Sequence, residues 1–294
     1  MSDVLVLERP AGIANLTRDY LELSKSRIVM MVLITTAAGY FFAAAHVDWI
    51  LLLNTLIGTG LVAAGTNALN QYVERDHDAK MRRTRLRPLP DGRITPRAAL
   101  IFSLAISLIG TLYLGFAVNW LTAALGAITL TTYIFIYTPL KRVSPICTIV
   151  GAIPGAIPPL MGWTAATGVL GMGGWIIFAI LFFWQLPHFM AISWMYRDDY
   201  ARAGFAMLAV RDQDGVATAA HAVYYSFALL IVSALPSFFG LATYIYLAGA
   251  LVAGSLLTFI SFAFLDSRTP VRARRLFMAS NIYLIVMMAL LVFA

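Results

Sequence analysis

Asn70, Glu74 and Asp78 recur every four residues in N-Q-Y-V-E-R-D-H-D. On a helix a step of four drifts by only about 40°, so these side chains form one stripe about two turns long. Two carboxylates stacked this way repel unless something positive lies between them, which favours a bound cation over a plain solvated helix end. A second acidic pair, Asp198 and Asp199, stands between Tyr196 and Tyr200 in Y-R-D-D-Y. Bases accompany both groups: Arg82, Arg83, Arg85 and Arg87 follow the stripe, and Lys141 and Arg142 lie between it and the second pair. Mg2+ takes oxygen ligands, usually one or two carboxylates plus substrate phosphates and waters. Without it, a carboxylate and a phosphate about 4 Å apart repel by about 4 kcal/mol at an effective dielectric near 20. Acids for the metal and bases for the free phosphate oxygens suit one chemistry, departure of a diphosphate from a lipid-soluble chain.

No other catalytic set competes. The chain has no G-x-S-x-G, H-E-x-x-H or Walker loop. His188, in W-Q-L-P-H-F, is a candidate ligand or proton carrier, though a lone intramembrane histidine as readily bonds a neighbouring helix. Cys147 is the single cysteine, so no internal disulfide forms and no zinc spacing exists.

The elements that carry these residues follow from hydropathy. The 294 residues are 61% apolar and 12% charged, against about 25% charged in soluble domains. An ordinary soluble enzyme, a disordered chain and a disulfide scaffold are excluded. Ile28–Val73, Ala98–Leu140, Val143–Tyr196 and Gly215–Leu265 lack lysine and arginine. A bilayer core takes about 20 helical residues, so each stretch is a hairpin of two spans. Turns are expected at Ala45–Asp48, Asn119, Thr164–Gly174 and Pro236–Gly240, and Leu276–Ala294 is a ninth span. Continuous apolar runs lack the alternation of a membrane barrel. The fold expected is an all-α polytopic membrane protein, with an N-terminal cytoplasmic segment at 1–27 and a nine-helix domain at 28–294.

All 21 lysines and arginines fall in the N-terminal segment or in loops that nine spans place on one side. By the positive-inside rule that side is cytoplasmic, with the N-terminus inside and the C-terminus outside. The net charge of +7 is therefore topological and does not indicate a nucleic-acid partner. The first 27 residues do not resemble a cleaved signal peptide. Trp194 and Tyr196, like most tryptophans here, fall near predicted helix ends, as interfacial aromatics do. Gly151, Pro154, Gly155, Pro158 and Pro159 are expected to break the ladder of the fifth span, where helices pack closely or line a cavity.

At these residues the chain resembles the UbiA superfamily of intramembrane prenyltransferases, and within it the protoheme IX farnesyltransferase (heme O synthase) branch. The resemblance runs from about Tyr20 to the C-terminus. It is densest in N-Q-Y-V-E-R-D-H-D-A-K-M-R-R-T-R-L-R-P-L-P, Y-T-P-L-K-R-V-S-P-I, G-A-I-P-G-A-I-P-P-L-M-G-W and P-H-F-M-A-I-S-W-M-Y-R-D-D-Y-A-R-A-G-F-A-M. Glu74 stands where the superfamily pattern N-x-x-x-D-x-x-x-D has Asp, as the heme branch is expected to have. Lys25-Ser26-Arg27 replaces the frequent Lys-Pro-Arg, Cys147 an expected Asn, and the second acidic group lacks the fuller D-x-x-x-D spacing.

The resemblance implies nine helices around a central cavity open to the cytoplasmic side, in a bacterial plasma membrane or a mitochondrial inner membrane. It implies transfer of farnesyl from farnesyl diphosphate to a vinyl group of heme B, with addition of water, giving heme O for terminal oxidases. Asn70, Glu74 and Asp78 would carry one magnesium–diphosphate site, with Glu74, Asp78, Asp198 and Asp199 as metal ligands, either Asp198 or Asp199 making the contact. Arg83, Arg87, Lys141 and Arg142 would hold diphosphate. Tyr133, Tyr137, His188, Trp194 and Tyr196 are candidates for the heme or prenyl part. Implied partners are the bilayer and heme A synthase or terminal-oxidase assembly proteins. The rival readings are a sister aromatic prenyltransferase of a quinone or chlorophyll pathway, and a transporter. One-sided acids speak against the transporter, whose site would lie near the midplane.

Overall fold

A computed structural model describes residues 13–293. Residues 1–12 of the expected N-terminal segment lie outside the described residues. Thirteen α-helices follow in order: α1 (Ile13–Leu23), α2 (Ser26–Ala43), α3 (Trp49–Asp78), α4 (Pro96–Ala117), α5 (Trp120–Thr131), α6 (Thr138–Leu140), α7 (Cys147–Thr167), α8 (Met172–Met195), α9 (Arg197–Arg202), α10 (Leu208–Arg211), α11 (Val216–Phe238), α12 (Tyr244–Asp266) and α13 (Pro270–Val292). A π-helical stretch, Thr132–Tyr137, joins α5 to α6. Among the described residues nine helical stretches are long and apolar enough to cross a membrane, the fourth running Trp120–Leu140.

Short polar residues start these helices. Asp48 Oδ1 accepts the backbone N–H groups of Ile50 and Leu51, each at 3.0 Å, and opens α3. Thr95 and Thr269 cap α4 and α13 ahead of Pro96 and Pro270, whose missing N–H costs nothing in a first turn. Asn119 caps α5 and Thr243 caps α12. The hairpin turns fall close to their expected places, with one shift. Pro236 lies inside α11, and the chain turns after Phe238, where Gly240 adopts φ 69° and Leu241 N–H bonds back to the Pro236 carbonyl at 2.8 Å. Only a residue tolerant of the left-handed region closes the helix there.

The fifth span also departs from expectation. α7 runs unbroken through Pro154, Pro158 and Pro159. Gly151 and Gly155 line a cavity, and Gly162 serves packing against α2. A β-carbon at Gly162 would overlap the Thr36 carbonyl of α2, and one at Gly39 of α2 would overlap the Pro159 carbonyl of α7. Small residues let the two backbones touch, the usual device where apolar burial adds little between helices in lipid. The irregularity sits in the fourth span instead. Pro139 has no N–H to offer a preceding carbonyl, and there the ladder widens to the π-helical stretch.

The basic loops collect at one end of the bundle. Ala206 N–H bonds the Lys141 carbonyl at 2.6 Å, Arg211 reaches the Val143 carbonyl at 3.1 Å, and Arg268 reaches the Asp214 carbonyl at 3.0 Å. The loop after α3 is fastened at both ends: Met81 packs with Ala203, Phe205 and Met207, while Leu89 and Ile94 pack with Leu23 of α1. Arg93 ties that loop to α1 through Asp19 and, at 3.0 Å, Glu22. α3 has 30 residues, about 45 Å at 1.5 Å each, against a hydrocarbon core of about 30 Å. Its acidic end therefore stands above the lipid, under this cap.

Candidate active site

The α3 stripe descends from the cap into the bundle. Asn70, Glu74 and Asp78 are buried on it. Lys141, just past α6, donates to Glu74 Oε1 at 2.7 Å and lies 4.4 Å from the centroid of the Tyr137 ring. Arg87 donates to Asp78 Oδ2 at 2.7 Å, and the other Asp78 oxygen is buried with no hydrogen-bond partner. Asn70 accepts from Lys25 Nζ at 2.9 Å and donates to Thr138 Oγ1 at 3.3 Å. The second acidic group arrives from α9. Asp199 is buried, accepts the Arg82 backbone N–H at 3.3 Å, and is paired with Arg202. The two acidic groups thus meet at one end of the molecule, joined through the loop that follows α3.

Each buried acid here holds a base rather than another acid. Among the described residues no three of His, Cys, Asp and Glu gather into a metal cage. Burial opposes the charge on Lys141, but the Glu74 carboxylate outweighs it and holds the ammonium well above its ordinary pKa. Lys25 has no such full partner. Burial, assisted by the Arg87 charge, pulls its pKa down to about 7.

Beneath this polar roof lies a cavity of about 250 Å³ between α2, α3, α5, the π-helical stretch, α7 and α8. Val62, Met161, Pro154, Pro158, Ile28 and Phe189 make most of its wall. Tyr133 and Tyr137 line it near the roof, their rings 5.0 Å apart. Asn67, one turn below Asn70 on α3, and Gln185 of α8 add polar atoms lower down.

Several sequence candidates are not on this cavity. Asp198 is exposed, its side chain 85% accessible, and lines a shallow cleft with Arg197 and Asp212. Arg142 is exposed. His188 faces α13: its Nδ1 is 2.9 Å from Ser280 Oγ, and its ring packs on Trp184 and Phe277. Trp194 is a peg, bonded to the Arg268 carbonyl at 2.8 Å and covered by Arg197. Arg83 and Tyr196 do meet at the cap, the guanidinium 4.8 Å from the ring centroid, with Tyr200 on its other flank at 5.9 Å. Lys25, Asn67 and Gln185 were not among the sequence candidates. Lys25 reads as one more positive-inside marker until Asn70 is seen beside it. The only signal for Asn67 is its place on the Asn70 face of α3.

Comparison with known proteins agrees with this fold. The model of the UbiA prenyltransferase family matches residues 32–285. A protoheme IX farnesyltransferase from Solibacter usitatus is 47% identical over 91% of this chain and 95% of its own length. A solved structure of digeranylgeranylglyceryl phosphate synthase superposes with a TM-score of 0.79 at 18% identity, covering 94% of this chain and 97% of that one. A UbiA homolog from Archaeoglobus fulgidus, solved with GPP and Mg2+, gives 0.67 at 14% identity, covering 93% and 99%. At such identities the structures speak for the fold, and the sequence match speaks for the branch. The chain is a multi-pass membrane prenyltransferase that belongs to the UbiA family, among its protoheme IX farnesyltransferases.

Proposed function

We propose that this chain transfers the farnesyl group of farnesyl diphosphate to a vinyl group of heme B, with addition of water, to give heme O. The observation that carries the reading is a cluster of paired acids and bases standing about one helical turn above an apolar cavity on the same helix, α3. The Solibacter relative is named for farnesyl transfer to protoheme IX, and the Archaeoglobus homolog holds an isoprenyl diphosphate with Mg2+.

The residues present fit a magnesium ion. The donors are all hard oxygens, from Asn70, Glu74, Asp78 and Asp199, and one Asp78 oxygen is buried without a partner. The absence of a three-carboxylate cage among the described residues suits Mg2+, which is held through few carboxylates and the phosphates of its substrate. When bound, the ion offsets the negative charge that grows on the departing diphosphate. Lys141 and Arg87 bind the free phosphate oxygens and release Glu74 and Asp78 as they do so, while Lys25, now on Asn70, and Arg83, now against Tyr196, add further positive charge. Glu74 and Asp78 would hold the ion once Lys141 and Arg87 turn to the phosphate, so neither carboxylate would be left buried and uncompensated. Tyr133 and Tyr137 present aromatic faces to positive charge developing at farnesyl C1. Val62, Met161 and Phe189 exclude bulk water from it. Asp199, not Asp198, completes the acid set. Arg142, His188 and Trp194 stand outside the reacting cavity, and the site opens to the cytoplasmic or matrix side.

The test is mass spectrometry of hemes extracted after incubating purified chain with heme B, farnesyl diphosphate and Mg2+. The expected product is heavier than heme B by one farnesyl group and one hydroxyl. Unchanged heme B, with prenylation of a phenolic acid supplied in parallel, would replace this reading by that of an aromatic-acceptor enzyme.

A further inference from the structure

The cavity is greasier than it is dry. Asn67 of α3 and Gln185 of α8, both buried, line it from different helices. Gln185 Nε2 donates to the carbonyls of Ala152 at 3.2 Å and Leu181 at 3.0 Å. Two carbonyl partners identify that end as the amino group, so Oε1 is the free end. It has no donor among the described residues. Gly155, also on the cavity wall, keeps the notch open, since a β-carbon there would overlap Oε1. The Asn67 side chain has no hydrogen-bond partner among the described residues. Further down the same wall, the Thr59 hydroxyl is buried and unpartnered. Unsatisfied polar groups at membrane depth cost several kcal/mol each, and a small polar occupant removes that cost.

Depth narrows what the occupant does. Asn67 lies eleven residues before the end of α3 and Gln185 ten before the end of α8, so both sit about 15 Å below the roof ends of their helices. Asn67 is one turn below Asn70, next to where the first carbon of a chain tethered by its diphosphate to the roof must lie.

Resting on the function proposed above, we infer that Asn67 and Gln185 position the water that is added to the heme side chain. As the C1–O bond to diphosphate breaks, the terminal vinyl carbon bonds farnesyl C1, and positive charge moves to the vinyl carbon beside the ring. That cation has two fates. It loses a proton and becomes an alkene, or a water oxygen bonds to it and the water's proton passes to the released diphosphate. Gln185 Oε1 and the Asn67 amide accept O–H bonds from the water and turn its lone pair towards the cation. Hydration then outruns proton loss.

The experiment uses the full chain, heme B, farnesyl diphosphate and Mg2+ in water labelled at oxygen. Wild type is expected to give product carrying one labelled oxygen. Gln185→Met and Asn67→Leu are expected to shift the ratio of alkene, lighter by one water, to hydrated product by about tenfold or more, with diphosphate release retained. A merely structural role lowers total turnover without moving that ratio. The two changes lie on different helices, so if one variant fails to fold, the other decides. Alkylated heme with an unchanged ratio overturns the inference and leaves the function standing. So does a raised KM for heme B alone, which would assign the amides to the acceptor. A wild type that makes no alkylated heme overturns both.

Discussion

Asp78 divides its carboxylate between two tasks: one oxygen holds Arg87 at 2.7 Å, and the other faces no donor. Removing charge there, as in Asp78→Asn or Glu74→Gln, should lower kcat for heme alkylation by about 100-fold or more, the usual loss when one group stabilising developing charge is removed. Initial rates at saturating substrate check this, with a monodisperse elution profile as the control for folding. Asp198→Asn should stay within about twofold of wild type, as exposed substitutions generally do, while Asp199→Asn falls with the α3 acids. Lys141→Met leaves Glu74 buried and unpaired, which costs about 3–5 kcal/mol. Adding Glu74→Gln should restore much of the lost thermal stability but none of the activity, a contrast that melting curves and assays together expose. The stripe on α3 was legible because a period of 3.6 on one long helix needs no partner to be recognised. The choice between Asp198 and Asp199 was not. Adjacent residues differ by about 100° around a helix, and only the docking of α9 under the Arg82 backbone buries Asp199 and leaves Asp198 exposed. Lys25 was hidden for a like reason, since its bond to Asn70 joins two elements far apart in sequence.

Among the elements, α7 is the instructive case. Its glycines and prolines suggested an interruption, yet the helix runs through and α2 lies against it backbone to backbone. Composition reports that a segment is unusual. Whether it bends or packs closely depends on the neighbour, which local sequence does not contain. Gly162→Leu should therefore act by overpacking, lowering stability by about 2 kcal/mol or more, seen as a reduced Tm in detergent. The fourth span is the converse case: Pro139 stands near its end, and the π-helical stretch before it sets both Tyr133 and Tyr137 on the cavity wall. Helix number and turn positions were readable from gaps between charges, because lipid penalises charge wherever it falls along a span.

For the whole molecule, the clustering of every basic loop at one end makes sidedness testable. A cysteine introduced in the Gly168–Gly171 turn should react with an impermeant maleimide added outside intact cells, whereas one replacing Arg85 should react only after the inner face is exposed; buried Cys147 stays silent in both. The reverse labelling would invert the proposed orientation. The overall architecture was legible, but the cap was not: α1, the loop after α3 and the α9–α10 region are drawn together by Arg93 and Met81 across long sequence separations.

Charge over an apolar chamber also bears on what would follow the proposed bond formation. Two products of opposite character are left in adjoining compartments. The inorganic one is a hydrophilic anion whose easiest exit is upward into the aqueous phase, through the arginines of the cap. Under the proposed reaction the porphyrin gains a long hydrocarbon, so it favours lipid where the diphosphate favours water.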